Sequence, residues 1–233
     1  MNLRLNTIAS LAAHSADKGI IDVGTDHGYI PVSFALNGFT GKIIASDINE
    51  MPLDSAKRTA LDAGVSDKID FRLGNGLECC SADEVDTVII AGLGGDMIAS
   101  IIDCAEWTMS PSVSLILQPM TKAEIIRYYL TNNGYSILSE NPVFENGKLF
   151  HIFSVRFSDK NTYLSDAELF TGKIEQLRTS AHFDDILSAE CRKISKAVNG
   201  LNSSAPGSVK ERFYSDILDS LHHFKDGCYD DCK

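Results

Sequence analysis

Apolar and polar residues follow two different patterns along the chain, and the first pattern covers residues 1–157. Short apolar runs rich in Ile and Val recur there between helix-like stretches, at Gly19–Val23, Lys42–Ser46, Ile69–Arg72, Val85–Ala91 and Val113–Leu117. Two more runs, Tyr135–Ser139 and Leu149–Phe157, are separated by turn residues at Asn141-Pro142 and Asn146-Gly147. This order predicts an α/β fold, a mostly parallel sheet with helices and an antiparallel pair at its edge.

The second pattern has helical periodicity and covers residues 158–233. After a polar break at 158–161, apolar residues form three stripes with helical spacing, within residues 169–177, 186–201 and 209–221. Asn199-Gly200 and Ser203–Gly207 predict the end of one helix and the loop before the next. Residues 3–12 also have helical spacing, with Arg4 on the other face. We expect a small all-helical domain at 158–233, with coiled-coil-like packing, after a sheet domain at 1–157.

Composition is that of an ordinary globular protein, 233 residues with 44% hydrophobic content. No apolar run is long enough for a membrane span and no signal peptide is recognisable, so we expect a cytoplasmic protein. The six cysteines show no framework spacing, which favours reduced thiols. The net charge of −11 argues against broad nucleic-acid binding, but it is uneven, −9 in residues 1–159 and −2 in residues 160–233. A basic face on the tail is compatible with this distribution.

The most informative segment is the turn after the first apolar run. Gly24 and Gly28 stand between that strand and another apolar stretch, where Pro31 suits the first turn of a helix. A strand, a tight glycine turn and a helix N-terminus bring backbone amides close to a nucleotide-like ligand. The spacing is G-x-x-x-G, whereas the dinucleotide fingerprint is G-x-G-x-x-G. A nicotinamide dehydrogenase is therefore disfavoured.

The side chains of this turn favour a ligand with positive charge. Asp22, Asp26 and His27 crowd the glycines, and two carboxylates would repel a pyrophosphate. They suit S-adenosylmethionine, which carries a sulfonium and an ammonium group. Asp47 closes the second strand 23 residues after Gly24, close to the spacing at which a carboxylate binds a ribose hydroxyl pair. The alternative is an ordinary α/β turn whose Asp caps the helix.

Polar or glycine-rich residues follow all five predicted parallel strands, where ligands bind in sheets of this kind. These segments are Gly24–Tyr29, Asp47–Asn49, Gly74–Leu77, Ala91–Gly95 and Gln118–Met120. Asn75 is well placed to hydrogen-bond an adenine amino group, although a simple turn explains its neighbouring glycines equally well. The three glycines within Ala91–Gly95 leave backbone bare beside the donor, so that a flat base could lie against it. A helix N-terminal anion site or a flexible loop is the alternative there.

Four of these segments together resemble the TrmK family, bacterial tRNA (adenine-N1) methyltransferases that modify adenine 22. They are Asp22–Pro31, Gly74–Leu77, Ile89–Gly95 and Leu115–Met120. The resemblance is close over residues 1–157 and the tail is similar in kind, while Leu93 stands where the family more often has Met. It implies a class I (Rossmann-like) methyltransferase domain, S-adenosylmethionine as donor, and a C-terminal helical domain that helps to hold tRNA.

Other nucleic-acid methylases carry signatures that this chain lacks. Exocyclic-amine adenine methylases have a D/N-P-P-Y/F segment after the fourth strand, where this chain has Ala91–Gly95. Cytosine C5 methylases need an attacking thiolate in a Pro-Cys or Thr-Cys setting, which Cys79-Cys80 lacks. Their absence is consistent with methylation of a ring nitrogen.

We expect the donor to bind at the turns after the first four strands. The residues are Asp22, Gly24, Asp26, His27, Gly28, Asp47, Ile48, Asn49, Asn75, Gly76, Ala91, Gly92 and Gly94. Adenine N1 has a lone pair, so transfer needs alignment more than a base. A carboxylate that accepts a hydrogen bond from the exocyclic amine would stabilise the developing charge. Asp26 is the candidate, with Asp22 nearer the methionine part; the roles could be exchanged, and Asp26 could serve only the donor or the helix cap.

Residues around this cleft and on the tail are candidates for acceptor binding. Tyr29 could stack on the flipped base, opposite Pro119 and Met120, or it could be a core residue. For contacts with base or phosphate we expect Arg4, Gly95, Gln118, Pro119, Lys122, Arg127, Arg192, Lys193 and Lys196. The last three share one predicted helix, where a solvated face is the usual meaning of such a cluster. His27 could also meet a phosphate or pack locally.

Three expectations concern the chain as a whole. We expect tRNA to be its partner, and we expect neither a membrane nor a protein partner. We also expect the protein to be a monomer. The alternatives are a methyltransferase with another acceptor, or a non-catalytic donor-binding protein that would keep Asp47 and Asn75 but tolerate loss of Asp26. No metal is expected, because the C-x₃-C spacing of Cys228 and Cys232 differs from the C-x₂-C of common zinc sites.

Overall fold

A computed structural model describes residues 1–225 of the chain. The chain divides into two compact units, Met1–Thr162 and a second that begins at Tyr163. The predicted break after residue 157 comes earlier than this boundary, because the polar residues 158–162 belong to the first unit. Backbone hydrogen bonds from Ser158 N to Gly134 O (2.9 Å) and from Thr162 N to Thr131 O (3.1 Å) hold that segment there.

The first unit is built on one seven-stranded sheet. Its strands are β1 (Gly19–Val23), β2 (Lys42–Asp47), β3 (Asp70–Leu73), β4 (Thr87–Gly94), β5 (Ser114–Thr121), β6 (Tyr135–Glu145) and β7 (Lys148–Phe157). The spatial order is β3-β2-β1-β4-β5-β7-β6, with parallel pairing from β3 to β5 and antiparallel pairing of β7 with β5 and β6. The predicted α/β class and the antiparallel edge pair are confirmed.

Helices cover both faces of this sheet. They are α1 (Leu3–Ala13), α2 (Tyr29–Leu36), α3 (Glu50–Asp62), α4 (Gly95–Asp103) and α5 (Ala123–Asn132). Successive residues of a strand point to opposite faces, so Ile20 and Ile89 join one apolar cluster while Ile21 and Ile90 join the other. The central strands read as continuous apolar runs because both of their faces are buried.

The antiparallel hairpin differs from the expectation in one respect. Asn141-Pro142 is part of β6 rather than of the turn, and Pro142 pairs with His151 of β7. The turn consists of Asn146 and Gly147 alone, both with positive φ (51° and 72°). A proline fits at position 142 because β6 is the edge strand, where a missing N–H leaves no ladder partner unsatisfied.

The second unit is helical through residue 225 and has its own apolar core. It contains α6 (Asp166–Thr171), α7 (Ile174–Leu177), α8 (Phe183–Ser204) and α9 (Val209–Lys225). Helices α8 and α9 run antiparallel, because Lys225 Nζ at the end of α9 donates to Ser188 Oγ near the start of α8 (3.1 Å). One prediction was wrong here, namely that Asn199-Gly200 ends a helix. Helix α8 continues through these residues to Ser204. The predicted first stripe is shared by α6 and α7, which are separated at Gly172 (φ 87°).

Two further observations apply to the described part of the chain. Within residues 1–225, no helix is both long enough and apolar enough to cross a membrane. The same residues contain no group of three or more His, Cys, Asp or Glu side chains that could hold a metal ion. Cys228 and Cys232 lie outside the described residues.

Candidate functional site

The carboxyl ends of β1 to β4 meet in a cleft of about 620 Å³, which the start of α1 also lines. Most of the predicted donor residues line it together, namely Asp22, Gly24, Asp26, His27, Asp47, Ile48, Asn49, Asn75, Gly76, Ala91 and Gly92. Arg4 and Tyr29 line the same cleft. A cleft of this volume is large enough for a nucleoside-sized ligand.

The turn after β1 is fixed by backbone contacts with the neighbouring elements. Gly24 N and Thr25 N both donate to Ser46 O of β2, at 2.9 and 3.0 Å. Gly28 has φ 68°, and a Cβ there would lie 2.9 Å from the Cβ of Ala56 in α3. Gly28 is absent from the cleft lining, so packing of the turn against α3 explains this glycine rather than a donor contact.

Asp22, at the end of β1, is the most deeply buried acid of the cleft, with 5% of its surface exposed. Thr25 Oγ1 donates to Asp22 Oδ2 at 2.7 Å. Burial raises the pKa of Asp22 to about 7, since loss of water outweighs the opposing Thr25 hydrogen bond, and nearby Asp47 adds to the rise. A cation beside Asp22 would favour its charged form. Thr25 is not among the residues predicted from the sequence, although an Asp and a Thr three residues apart in a turn are a usable signal for such a hydrogen bond.

Asp47 and Asn75 close the other end of the cleft. Asp47 is 8% exposed, and its Oδ1 accepts from Asn49 N at 2.9 Å. This hydrogen bond fixes the carboxylate of Asp47, which also lines the cleft. A carboxylate that binds a pair of ribose hydroxyls must be both fixed and accessible in this way. Asn75 is exposed, and its Nδ2 donates to Glu78 Oε1 at 3.2 Å. Glu78 is not among the residues predicted from the sequence.

Three side chains of the same turn stand at the rim. Asp26 has φ 48°, unusual for a residue other than glycine, and 66% of its side chain is exposed. His27 bridges this residue and α3, with Nε2 3.5 Å from Asp26 Oδ2 and Nδ1 2.9 Å from Ser55 Oγ. Tyr29 is 47% exposed, with its ring centroid 5.5 Å from that of His27. Tyr29 is therefore a surface aromatic of the cleft and not a core residue.

The three glycines at the end of β4 and the start of α4 have different environments. Gly92 has φ 86° and lines the cleft, and among the described residues no atom lies within 4 Å of the position where its Cβ would be. Gly95 is buried, and a Cβ there would clash with Lys122 O at the start of α5. The prediction that Gly95 offers open backbone to the base was therefore wrong, because close packing of two chain segments accounts for it. Gly94 does not line the cleft either.

Two predicted base contacts on β5 are also buried. Gln118 is fully buried; its Oε1 accepts from Arg4 Nη1, and its Nε2 donates to Pro119 O at 2.8 Å. Pro119 is buried in the same strand and pairs with Leu93, while Met120 is 43% exposed. The predictions that Gln118 and Pro119 contact the base directly were therefore wrong. Gln118 binds the side chain of Arg4 instead.

The candidate phosphate contacts divide by exposure. Arg127 is fully buried and binds Glu140 and His151, with Arg127 Nε donating to Glu140 Oε2 at 3.0 Å, so this prediction was wrong. Lys122 is exposed beside Asp96, whose carboxylate raises the pKa of the Lys122 ammonium. Exposed candidates in the second unit are Arg192, Lys193 and Lys196 of α8, of which Lys193 Nζ lies 3.4 Å from Glu190 Oε2.

Comparison with known proteins assigns the chain to a family. A family model described as a methyltransferase domain matches residues 1–153. The tRNA (adenine(22)-N(1))-methyltransferase of Bacillus subtilis strain 168 is 32% identical over 174 residues, 75% of this chain and 72% of that protein. The chain belongs to this methyltransferase family. The resemblance to TrmK methyltransferases found in the motifs is thereby confirmed.

Two solved structures match this chain over nearly its whole length. The crystal structure of the B. subtilis m1A22 tRNA methyltransferase TrmK has a TM-score of 0.79 at 26% identity, covering 98% of this chain and 99% of that chain. A Streptococcus pneumoniae candidate tRNA (m1A22) methyltransferase, in complex with S-adenosyl-L-methionine, has a TM-score of 0.79 at 28% identity, covering 96% and 99%. This chain therefore has the Rossmann-like methyltransferase fold, followed by C-terminal helices that include α8 and α9.

Proposed function

We propose that this protein transfers the methyl group of S-adenosylmethionine to N1 of adenine 22 in tRNA. The observation that carries the proposal is the 32% identity over 174 residues to the B. subtilis tRNA (adenine(22)-N(1))-methyltransferase. The matched family domain, residues 1–153, contains the whole cleft lining. The chemistry of that lining supports the same donor independently.

The cleft suits S-adenosylmethionine at each end. The donor supplies a methyl group that its sulfonium activates for transfer to a nucleophile. Asp22 is a buried carboxyl that would be charged beside an ammonium, and Asp47 offers a fixed carboxylate for ribose hydroxyls. Gly92 leaves open space where a side chain would obstruct the ligand.

The acceptor side requires placement of a base more than removal of a proton. The lone pair of adenine N1 is available at neutral pH, so the protein must hold this atom in line with the methyl group. The product ring is cationic, and its exocyclic amine becomes a stronger donor as charge develops. Asp26, exposed at the rim, accepts that hydrogen bond and stabilises the transition state more than the ground state. Tyr29 provides a face on which the flipped base stacks.

The helical residues after 157 form the tRNA-contacting domain in this proposal. Arg192 and Lys196 are exposed and four residues apart on α8, which places them on one helix face. Such side chains bind phosphates without reading sequence. The protein then acts as a cytoplasmic monomer with tRNA as its macromolecular partner.

The reaction is tested by incubating the protein with labelled S-adenosylmethionine and unmodified tRNA, followed by mass spectrometry of the nucleosides. The expected product is 1-methyladenosine. Appearance of N6-methyladenosine would contradict N1 attack. Binding of the donor without label in tRNA would exclude the RNA acceptor and favour another substrate.

A further inference from the structure

Arg4 is held in a fixed position at the wall of the donor cleft. It is half-buried in the first turn of α1, and its Nη1 donates to Oε1 of the fully buried Gln118. Its Cζ lies 5.4 Å from the centre of the Phe150 ring. These two uncharged partners orient the guanidinium and leave its positive charge without a counterion among the described residues.

The backbone that carries Arg4 is also anchored. Glu145, at the end of β6, accepts from Arg4 N at 3.1 Å and from Asn2 Nδ2 at 2.9 Å. Asn2 Oδ1 in turn accepts from Leu5 N at 3.0 Å and caps α1. The hairpin end and the helix N-terminus are thus joined, and Glu145 is used for the backbone of Arg4 rather than for its side chain.

The acidic residues of the cleft cannot bind an anionic group of the donor. Asp22, Asp26 and Asp47 are acidic, and Arg4 carries the one permanent positive charge among the described residues that line the cleft. The amino-acid end of S-adenosylmethionine is a zwitterion. Asp22 suits its ammonium group, and its carboxylate needs a cation. A guanidinium binds a carboxylate with two parallel hydrogen bonds when it is fixed in place.

We propose that Arg4 binds the carboxylate of the donor's amino-acid end and thereby selects donors that retain it. This inference rests on the proposed function, because it assumes S-adenosylmethionine as the donor. A tRNA phosphate is the other anion that Arg4 could meet. The donor is favoured because Arg4 is half-buried inside the cleft and oriented by Gln118, whereas Arg192 and Lys196 are exposed side chains suited to phosphates.

The test is calorimetric binding of two ligands that differ in one group. They are S-adenosylhomocysteine and its decarboxylated analogue, which keeps the amine. We expect the wild-type protein to bind the first at least about tenfold more tightly, the value of a charge-assisted hydrogen bond. Arg4→Met should lose this preference and bind the analogue as the wild type does. Arg4→Lys should keep part of it, and Arg58→Met, at an exposed arginine of α3, should keep all of it.

Each other outcome is informative. Equal binding of both ligands by the wild type would overturn the inference, even if Arg4→Met failed to fold. Equal weakening of both ligands by Arg4→Met would mean a structural role for Arg4. Unchanged binding by Arg4→Met together with a raised KM for tRNA would assign Arg4 to a phosphate. Absence of S-adenosylhomocysteine binding by the wild type would contradict the proposed function itself.

Discussion

At the scale of single residues, the three acids of the cleft differ in burial, and burial separates their roles. Asp22 and Asp47 are 5% and 8% exposed, while the side chain of Asp26 is 66% exposed. A buried carboxyl is suited to a ligand that displaces all water from it, and a rim carboxylate to a group that arrives from solution. The residue types alone left Asp22 and Asp26 exchangeable, since both stand in the same turn.

The first prediction concerns the pH dependence of donor binding. Because burial raises the pKa of Asp22 to about 7, this carboxyl must lose a proton to pair with an ammonium group below that pH. The affinity for S-adenosylhomocysteine should therefore rise with pH up to about 7, by at most about tenfold per unit, and then level off. Calorimetry should show proton release below this pH. Asp22→Asn should bind more weakly and with a flat profile in this range.

The same shift predicts how the ligand-free protein responds to pH. A raised pKa means that the folded protein keeps a proton that the unfolded chain loses between 3.8 and about 7. Stability should therefore fall as pH rises through this window. Thermal unfolding should show a smaller fall for Asp22→Asn. An equal fall in both proteins would mean that Asp22 is already ionised in the free cleft.

The second prediction separates Asp26 from donor binding. Asp26→Asn preserves the backbone at φ 48°, which Asn tolerates better than Ala. We expect kcat to fall by about 10² to 10³, as for loss of one preorganised polar contact to the transition state. The affinity for S-adenosylhomocysteine should be unchanged, and Asp54→Asn, an exposed acid of α3, should behave as the wild type. Loss of ligand binding in Asp26→Asn would place this carboxylate on the donor instead.

The location of a side chain could be predicted from the sequence where its position along the chain also fixes its position in the fold. The acids at the ends of β1 and β2 could be placed because a strand end in a parallel sheet lies at the cleft. Arg127 could not, since its partners Glu140 and His151 come from strands that follow it along the chain. A buried cation and an exposed one look the same in a single sequence.

At the scale of elements, positive-φ glycines give the cleft its shape. Gly28 lets the β1 turn approach α3, and Gly92 keeps the end of β4 open. Sequence patterns predicted these turns because glycine-rich segments follow apolar runs. They did not distinguish glycines that face the ligand from glycines that pack, such as Gly95, because that depends on the neighbouring chain segment. The same reason explains Asn141-Pro142, which only its edge position makes compatible with a strand.

The third prediction uses Gly38 as a matched control for Gly92. Both have positive φ (77° and 86°), and at each the described residues leave at least 4 Å of open space around the position that a Cβ would occupy, so alanine should cost about 1 kcal/mol at each. Gly92 lines the cleft and Gly38 does not. Gly92→Ala should therefore weaken S-adenosylhomocysteine about tenfold or more, and Gly38→Ala should leave binding unchanged. Equal binding by the two variants would show that the donor does not approach Gly92.

At the scale of the whole molecule, the protein and its proposed substrate, tRNA, both carry a net negative charge. The net charge of −11 would disfavour tRNA unless the cations are concentrated where RNA binds. Charge counting along the sequence indicated the less acidic tail. The exposed Arg192, Lys193 and Lys196 of α8 fit that interpretation, which stays a prediction.

The fourth prediction tests this helix. Arg192→Gln with Lys196→Gln should raise KM for tRNA and lower the salt dependence of tRNA binding by between about one and two units of the log–log slope. Donor affinity should be unchanged. The matched control is Lys57→Gln with Lys68→Gln, which removes two exposed charges from the first unit. Equal effects of both double variants would indicate nonspecific electrostatic attraction. They would contradict the proposal that α8 binds tRNA.

The most direct test of the assigned reaction is the position of the methyl group. Two tRNA transcripts that differ only in having adenine or guanine at position 22 are incubated with the protein and S-adenosylmethionine. We predict 1-methyladenosine in the adenine transcript alone, with a reverse-transcription stop at that position. Equal methylation of both transcripts, or a stop at another adenine, would contradict the assignment of adenine 22.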